Sequence, residues 1–313
     1  MGLKTVFIIN PKSGNGSTER GWPRIRHKVL SKLGPFEEYW TGKQGDATTL
    51  TQASLRQGAG RIVCVGGDGT LNEVVNGFMA QTGPVCTDAV LGFIPNGTGC
   101  DFARTLPVGK GIDETIDTIL RGYQETVDVG RIRYCDETGF THIRYFLNIA
   151  SFGIGGEVDQ RVNRSSKIAG PFLSFIWATL ISILTYDKKK IRLRVDEHFD
   201  KTVTAWNVAV ANGRYHGGGM LVAPEAKIDD GLFHITLIGD LSLPSIFRHL
   251  PKLYNGRIGK IRQVRFLVGK HVKAMSSEQV LLDVDGEPVG RLPVELDILP
   301  GAIRMYAKER QPE

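Results

Sequence analysis

Three times within its first hundred residues the chain passes from a short apolar segment into a polar turn built on glycine. Thr5–Ile9 enters Asn10-Pro11-Lys12-Ser13-Gly14-Asn15-Gly16, Arg61–Val65 enters Gly66-Gly67-Asp68-Gly69-Thr70, and Val90–Ile94 enters Pro95-Asn96-Gly97-Thr98-Gly99-Cys100-Asp101. Helix-patterned stretches are interleaved with them. Arg24–Leu33 puts Ile25, Val29, Leu30 and Leu33 on one face, and Leu71–Ala80 repeats apolar residues at Leu71, Val74, Val75 and Phe78. Phe36–Trp40 and Val127–Arg133 add strands; Asp46–Gln57 and Ile112–Arg121 add helices. Strand and helix in alternation predict a doubly wound parallel sheet. Such sheets take their ligands outside the carboxyl ends of the strands, where all three turns fall.

The middle turn carries the most chemistry. Its glycines let the backbone turn tightly and approach a ligand closely. Thr70 and Glu73 have capping-box spacing, which predicts a helix starting at Thr70. A helix N-terminus offers N–H groups and partial positive charge to a phosphate. Asp68 would stand beside that phosphate, able to hold Mg²⁺ through water or to orient a proton. In the first turn Lys12 and Ser13 can reach phosphate or ribose; in the third, Thr98 can, and Asp101 is a second buried-carboxylate candidate. Any one of these could be a plain strand-to-helix turn with a capping acid, but three of the same kind favour phosphate. No G-x-x-x-x-G-K-[ST] occurs, so the chain is not a P-loop protein, and no G-x-G-x-x-G follows the first strand.

Beyond Arg133 the rhythm changes. Arg144–Ala150, Ile191–Val195, Ala205–Ala211, Leu232–Ile238, Ile261–Val268, Val272–Met275 and Gln279–Val284 read as short strands, with helical pattern only at Gln160–Tyr186 and Leu243–Leu253. The expectation is an α/β domain over 1–133, rejoined by 293–313, and a β-sandwich over 134–292. Asp283, Asp285 and Glu287 alternate, so an extended strand would set all three on one face. Lys227-Ile228-Asp229-Asp230-Gly231-Leu232 reads as a tight acidic turn. His216-Gly217-Gly218-Gly219 resembles an esterase oxyanion loop, but without a G-x-S-x-G elbow it reads as a turn or a ligand-approach loop.

Charge narrows the partners. Thirty-nine Lys and Arg against 33 Asp and Glu give +6, and pI is about 9.1. That suits anionic phosphates or an anionic membrane surface; no zinc-finger, RNP or basic-zipper pattern points to nucleic acid. Between Asp240 and Glu278 stand eight Lys or Arg and no acid, either a solvated face or a lipid-docking one. Ile168–Tyr186 has no charge, yet Gly170-Pro171 should interrupt it, leaving a helix of about 22 Å, short of the roughly 30 Å hydrocarbon core. It is expected to pack on a core or border a lipid entry. The four cysteines lack C-x-x-C pairing and read as reduced thiols, and the N-terminus shows neither signal-peptide nor myristoylation pattern, so a cytoplasmic, peripherally membrane-associating protein is expected.

With these residues in view the chain resembles the diacylglycerol kinase catalytic-domain family, in its soluble bacterial lipid-kinase branch, which is similar to the sphingosine and ceramide kinases. The resemblance rests on Asn10 to Gly14, Thr41 before Gly45-Asp46-Ala47, Gly66 to Asn76, Gly97-Thr98-Gly99 with Asp101-Phe102-Ala103-Arg104, Val127-Asp128-Val129-Gly130, Gly217 to Met220, Asp229-Asp230-Gly231, and Asp285-Gly286-Glu287, in family order over nearly the whole chain. It implies a nucleotide-binding α/β domain of NAD kinase-like fold followed by a β-sandwich, with ATP in the cleft and a lipid hydroxyl as acceptor, diacylglycerol or a related lipid first. It implies ATP contacts from Asn10, Pro11, Lys12, Ser13, Gly14, Thr41, Gly66, Gly67, Asp68, Gly69, Thr70, Leu71, Asn72 and Thr98. Asp285 is the preferred proton acceptor, with Glu287 as the alternative. Asp68, Asp101 and Asp128, with Glu73 near them, would form a supporting network with Mg²⁺. A structural Mg²⁺ would use the Asp230 side chain and the Lys227 and Leu232 carbonyls. Cys100 departs from the family pattern, which has Asn there; a thiol lacks the amide's hydrogen bonds.

Two rival readings stand. An NAD kinase shares the Gly66–Thr70 turn but phosphorylates a soluble acceptor. A nucleotide-sensing, membrane-binding protein without turnover would have no use for the carboxylates at 68, 101, 128 and 285. The identity of the lipid is not written in the sequence, and it leaves room for a homodimer.

Overall fold

The computed structural model describes residues 3–80, 83–97, 99–109, 111–136, 138–164 and 171–309. It divides into two compact units, residues 1–129 with 300–313, and residues 130–299.

The first unit is a parallel sheet. Its strands are β1 (Thr5–Ile9), β2 (Glu37–Trp40), β3 (Arg61–Gly66) and β4 (Val90–Pro95), in the order β2-β1-β3-β4. Every residue of β1 and nearly every one of β3 and β4 is buried, the pattern of parallel strands covered on both faces. Helices α1 (Ser13–Leu33), α2 (Asp46–Arg56), α3 (Asp68–Phe78), the single turn α4 (Phe102–Thr105) and α5 (Ile112–Arg121) follow the strands. α1 and α5 pack together, as do α2 and α3. Trp22, Ile25, Val29, Ile116 and Ile119 join Phe7, Val63 and Tyr306 in one core cluster. α5 has Asp113 and Glu114 in its first turn, Arg121 in its last and a left-handed Gly122 after it, each favourable to the helix dipole or its C-terminal carbonyls.

The second unit is a β-sandwich. Its strands are the second half of β5 (Gln124–Cys135), then β6 (Thr141–Phe146), β7 (Ile149–Gly153), β8 (Lys189–Val195), β9 (Phe199–Ala205), β10 (Asn207–Ala211), β11 (Phe233–Ile238), β12 (Val264–Gly269), β13 (His271–Met275), β14 (Leu281–Val284) and the first part of β15 (Glu287–Tyr306). One sheet runs β12-β11-β10-β7-β14-β15; the other pairs β9-β8-β13-β15 and carries β5 and β6. Leu193, Val208, Phe233, Leu282 and Val294 belong to one core cluster of this unit. Three α-helices join it among the described residues: α6 (Ile154–Arg164), α7 (Pro171–Thr185) and α8 (Leu243–Tyr254). No helix among the described residues is long and apolar enough to cross a membrane, and α7, at fifteen residues, starts at the expected proline.

Several expectations are corrected. The element containing the helix expected from Arg24 opens at Ser13, but Gly14, Asn15 and Gly16 are left-handed, so the polar turn expected there persists and the regular helix begins only after Gly16. The helix expected at Thr70 begins at Asp68, with Gly67 as its N-cap and no capping side chain. The capping box fails because both side chains are engaged elsewhere: Asn10 Nδ2 donates to Thr70 Oγ1 (2.9 Å), and the Ala47 N–H donates to Glu73 Oε2 (3.1 Å). The strand expected over Arg144–Ala150 is broken at Leu147-Asn148, and Ala205–Ala211 is broken at Trp206. Asp283, Asp285 and Glu287 do not share a strand face. Asp285 (φ 51°) and Gly286 (φ 84°) form a two-residue hairpin turn between Val284 and Glu287, as Asp-Gly with two positive φ angles favours.

Candidate active site

The three glycine turns meet at the carboxyl ends of β1, β3 and β4. Asn10 bonds to Thr70 and so ties the first turn to the second. Asn96 Nδ2 donates to Thr18 Oγ1 (2.6 Å) and Ser17 Oγ (3.1 Å), tying the third turn to the start of α1, while the Asn96 N–H donates to the Gly66 carbonyl (2.7 Å). Asp68 closes the ring: its Oδ2 accepts the Asp101 N–H (3.0 Å) and its Oδ1 the Phe102 N–H (3.2 Å). The second and third turns touch backbone to backbone. A Cβ built on Gly97 would stand 2.6 Å from Gly67 Cα, closer than any side chain permits. The result is a ring of peptide groups at the N-terminus of α3, suited to phosphate oxygens.

The predicted nucleotide residues divide by exposure. Lys12 is exposed, and Asn10, Pro11, Ser13, Gly14, Thr41, Gly67, Asp68 and Gly69 are half-buried. Gly66 is buried; Leu71 and Asn72 are 2% and 1% exposed, so these two shape the helix from behind. Thr98 lies outside the described residues. Cys100 takes a left-handed conformation (φ 48°), and its Sγ accepts the Gly97 N–H at 3.2 Å, so the thiol supplies one of the bonds an amide would have made. Burial, then the charge of Asp68, pushes that thiol up to about 11.

The carboxylates fit a magnesium ion held through water. A Cβ on Gly99 would lie 3.3 Å from Asp68 Oδ2 and 3.7 Å from Asp101 Oδ2, so two carboxylate oxygens edge one small space, a hard donor set for Mg²⁺. Asp101 is buried, with its Oδ1 3.5 Å from Arg104 Nε. Asp128 is buried too and accepts the Gly301 N–H at 2.7 Å. The acidic turn fits a second ion poorly. Asp230 Oδ1 accepts the Leu232 N–H (3.0 Å) and Oδ2 lies 3.0 Å from His234 Nε2, while Lys227 is exposed.

In the sandwich unit the two candidate bases differ sharply. Asp285 is buried, and its carboxylate accepts three peptide N–H groups: Leu147 on Oδ2 (3.1 Å), Asn148 (3.1 Å) and Ile149 (2.9 Å) on Oδ1. Two of those donors, Leu147 and Asn148, are the residues at which the expected 144–150 strand breaks. Glu287, half-buried, opens β15.

Near it lies a group that the sequence reading did not assemble. Asp283 is fully buried; its Oδ1 accepts the Gly286 N–H (2.8 Å), and its Oδ2 meets His216 Nε2 (3.1 Å) and Ser151 Oγ (3.3 Å). Asp159, from α6, completes the group. Burial opposes ionisation of Asp283, but attraction to His216 and hydrogen bonds from His216, Asp159 and Gly286 hold its carboxyl below the usual carboxylate range. Burial, then repulsion from Asp283, pushes Asp159 well above it, and Glu287 adds to that repulsion. Asp159 is therefore the protonated partner and Asp283 the ionised one. His216 was visible as a glycine-flanked histidine; nothing local in the sequence linked it to Asp283.

Ser151, Asp159 and His216 of this group line a cavity of about 160 Å³. Its remaining wall is almost wholly apolar, with Ile183 from α7, Trp206 and Ala209 around β10, and Ile246 and Leu253 from α8.

A ring of glycine turns on a doubly wound sheet defines the class, an α/β protein whose turn peptides are suited to phosphate oxygens, carrying a β-sandwich unit. Residues 4–132 match the model of the diacylglycerol kinase catalytic domain, and residues 148–307 that of the YegS C-terminal NAD kinase beta sandwich-like domain. The chain is 32% identical to a diacylglycerol kinase of Staphylococcus saprophyticus over 94% of its length and 92% of that protein's, and 30% identical to one of Staphylococcus carnosus over 98% and 95%. Among solved structures, a diacylglycerol kinase of Bacillus anthracis matches with TM-score 0.71 at 24% identity, covering 97% of each chain. A yeast NADH kinase shares the fold with TM-score 0.52 at 16% identity, covering 99% of this chain and 84% of its own. The chain belongs to the diacylglycerol kinase catalytic-domain family, and with it to the kinases.

Proposed function

We propose that the chain is an ATP-dependent lipid kinase that moves the γ-phosphoryl group to a lipid hydroxyl, with diacylglycerol as the first acceptor to test. The observation that carries the proposal is the convergence of the three glycine turns, tied together through Asn10, Asn96 and Asp68. Phosphoryl transfer asks mainly for positioning and charge neutralisation. The peptide N–H groups of the turns hold the phosphates, and Lys12 adds a cation. Mg²⁺, held by Asp68 and Asp101, would offset the charge that develops on the phosphoryl oxygens.

We assign proton acceptance to Glu287. Both oxygens of Asp285 accept peptide N–H groups, three in all, which makes it a structural anchor, and Glu287 stands half-buried at the start of β15. Asp285 holds the Leu147–Ile149 corner and with it the hairpin that presents Glu287.

A lipid acceptor, as opposed to NAD, is favoured by the apolar cavity and by the helices around it. While α7 and α8 line the cavity with one face, Trp177 (64% exposed), Leu184 and Phe247 stand in solvent on the other. Arg248 and Lys252 share α8 with Phe247. Apolar side chains beside cations suit an anionic bilayer. The test is incubation with labelled ATP and either a total lipid extract or NAD. Label in the organic phase supports the proposal; label on NAD alone refutes it; ATP binding with no labelled product favours a non-catalytic protein. In parallel, Trp177→Asp should weaken sedimentation with anionic vesicles, an effect that added salt reproduces in the parent protein.

A further inference from the structure

The three glycine turns are joined by a chain of hydrogen bonds whose direction can be read. Asn96 Nδ2, in the third turn, donates to Thr18 Oγ1 (2.6 Å), and Thr18 Oγ1 lies 2.5 Å from Ser13 Oγ. Ser13 Oγ donates to the Asn10 carbonyl (2.9 Å), and Asn10 Nδ2 donates to Thr70 Oγ1 in the second turn. Thr18 is fully buried, and among the described residues its hydroxyl meets only Asn96 and Ser13. Having accepted from Asn96, it gives its own proton to Ser13, and Ser13 gives its proton to Asn10. Ser13 is left with none for a phosphate oxygen. We propose that Thr18 is a positioning residue of the nucleotide site, the link that sets the first and third turns relative to each other, and that Ser13 serves this link instead of binding phosphate. The first turn then meets the triphosphate through its backbone and Lys12. The inference rests on the nucleotide-binding part of the proposed function and names residues that give the site its shape.

The backbone explains how residue 18 comes to stand against residue 13. Gly14, Asn15 and Gly16 are left-handed (φ 57°, 55° and 76°) and fold the chain back before the regular helix starts. Two of the three are glycine, for which that region costs little. The third turn approaches at the same point: a Cβ built on Gly14 would lie 2.9 Å from Asn96 Oδ1. A buried hydroxyl that accepts one bond and donates another polarises both neighbours, so the chain acts as a unit. Without that hydroxyl, Asn96 and Ser13 each lose a partner and the spacing of the turns is no longer fixed. An anion site made of peptide groups depends on that spacing.

The test compares Thr18→Val, which keeps the β-branched shape without the hydroxyl, Thr18→Ser, which keeps the hydroxyl, and Ser13→Ala. Binding to the full chain is read with a fluorescent ATP analogue and Mg²⁺, without lipid, and by competition with tripolyphosphate, which has the phosphates without the base. Thr18→Val should weaken both ligands about tenfold, the worth of one buried hydrogen bond. Thr18→Ser should stay within about twofold of the parent, and Ser13→Ala should match Thr18→Val. The double variant Ser13→Ala with Thr18→Val should bind no more weakly than either single one, because both cut the same chain. With a lipid extract added, the loss should appear in KM for ATP and not in kcat. Parent-like affinity in Thr18→Val, a loss in Thr18→Ser as large as in Thr18→Val, or losses that add in the double variant overturn the proposal. Additive losses would place Ser13 on the phosphate directly. Should Thr18→Val not fold, Ser13→Ala cuts the same link at a half-buried position, and unchanged affinity there overturns the proposal. A parent that binds neither probe refutes the nucleotide reading itself; a parent that binds both, with any of the overturning results, refutes this inference alone.

Discussion

The carboxylates of Asp285 and Glu287 sit two residues apart, and one pair of substitutions separates their roles. Asp285→Asn is the informative change. Asn tolerates the left-handed backbone at this position about as well as Asp, so φ 51° adds no strain. The amide oxygen, placed at Oδ1, can keep the Asn148 and Ile149 N–H groups, but as a neutral acceptor. Its NH₂ then faces the Leu147 N–H, donor against donor, where Oδ2 had accepted at 3.1 Å. Exchanging two charge-assisted bonds for neutral ones costs about 1–2 kcal/mol, and stranding one buried N–H costs about 1–3. The expected loss is about 3 kcal/mol, or about 6–12 °C in Tm for a domain of this size. Glu287→Gln, at a half-buried position, should shift Tm by no more than about 2 °C while lowering kcat by at least about a hundredfold. The assay is differential scanning fluorimetry beside turnover of labelled ATP on a lipid extract. Should Asp285→Asn melt with the parent and lose turnover while Glu287→Gln retains it, the assignment is reversed and Asp285 is the base.

Other outcomes follow from the same geometry. Gly97→Ala drives a methyl against Gly67 Cα, a backbone atom that cannot swing aside, so KM for ATP should rise about tenfold with sedimentation on anionic vesicles unchanged. Cys64 and Cys100 should remain unlabelled by iodoacetamide in the native protein at about pH 8, because burial raises both thiols; mass spectrometry of the alkylated chain reads this, and rapid labelling of Cys100 would mean the third turn is open. Burial opposes ionisation of Asp297, but hydrogen bonds from Arg131 and His271 hold its carboxyl below its ordinary value. A depressed folded value means stabilisation that is full above about pH 4 and is lost as pH falls through the folded value. The urea midpoints of the parent and Arg131→Met should therefore differ at neutral pH and converge in acid; a gap that persists in acid would refute the pairing.

The parallel half of the fold was legible in the sequence because its signals are local. Val6 to Ile9 and Ile62 to Val65 are apolar runs that end in glycine turns, and α5 runs from Ile112 to Arg121 as its periodicity predicts. Expectations failed where a side chain answers to a distant residue. Thr70 and Glu73 have the spacing of a cap, yet Asn10 and Ala47 claim them. Arg144 to Ala150 looks like one strand, yet Leu147 and Asn148 turn their N–H groups to Asp285, more than a hundred positions downstream. His216 carries no local mark of its bond to Asp283, and Asp159 none of its place on a cavity wall. Spacing in sequence reports on neighbours along one element; these contacts join elements that only the fold brings together.

Strand β15 begins at Glu287, within the sandwich, and ends at Tyr306, whose ring and hydroxyl lie within the parallel sheet's core. There Arg61 Nε donates to the Tyr306 hydroxyl across 245 positions of sequence, and Arg304 and Met305 pair with Val90 and Leu91. During synthesis, then, the other strands of the parallel sheet emerge first, yet the sheet stays unclosed until Arg304 and Met305 have followed the whole sandwich. A nascent or truncated chain ending before Pro300 would carry β4 as a bare edge, open to misassembly. Residues 300–306 are thus a precondition for the amino-terminal unit to mature, although the whole sandwich separates them from its other strands.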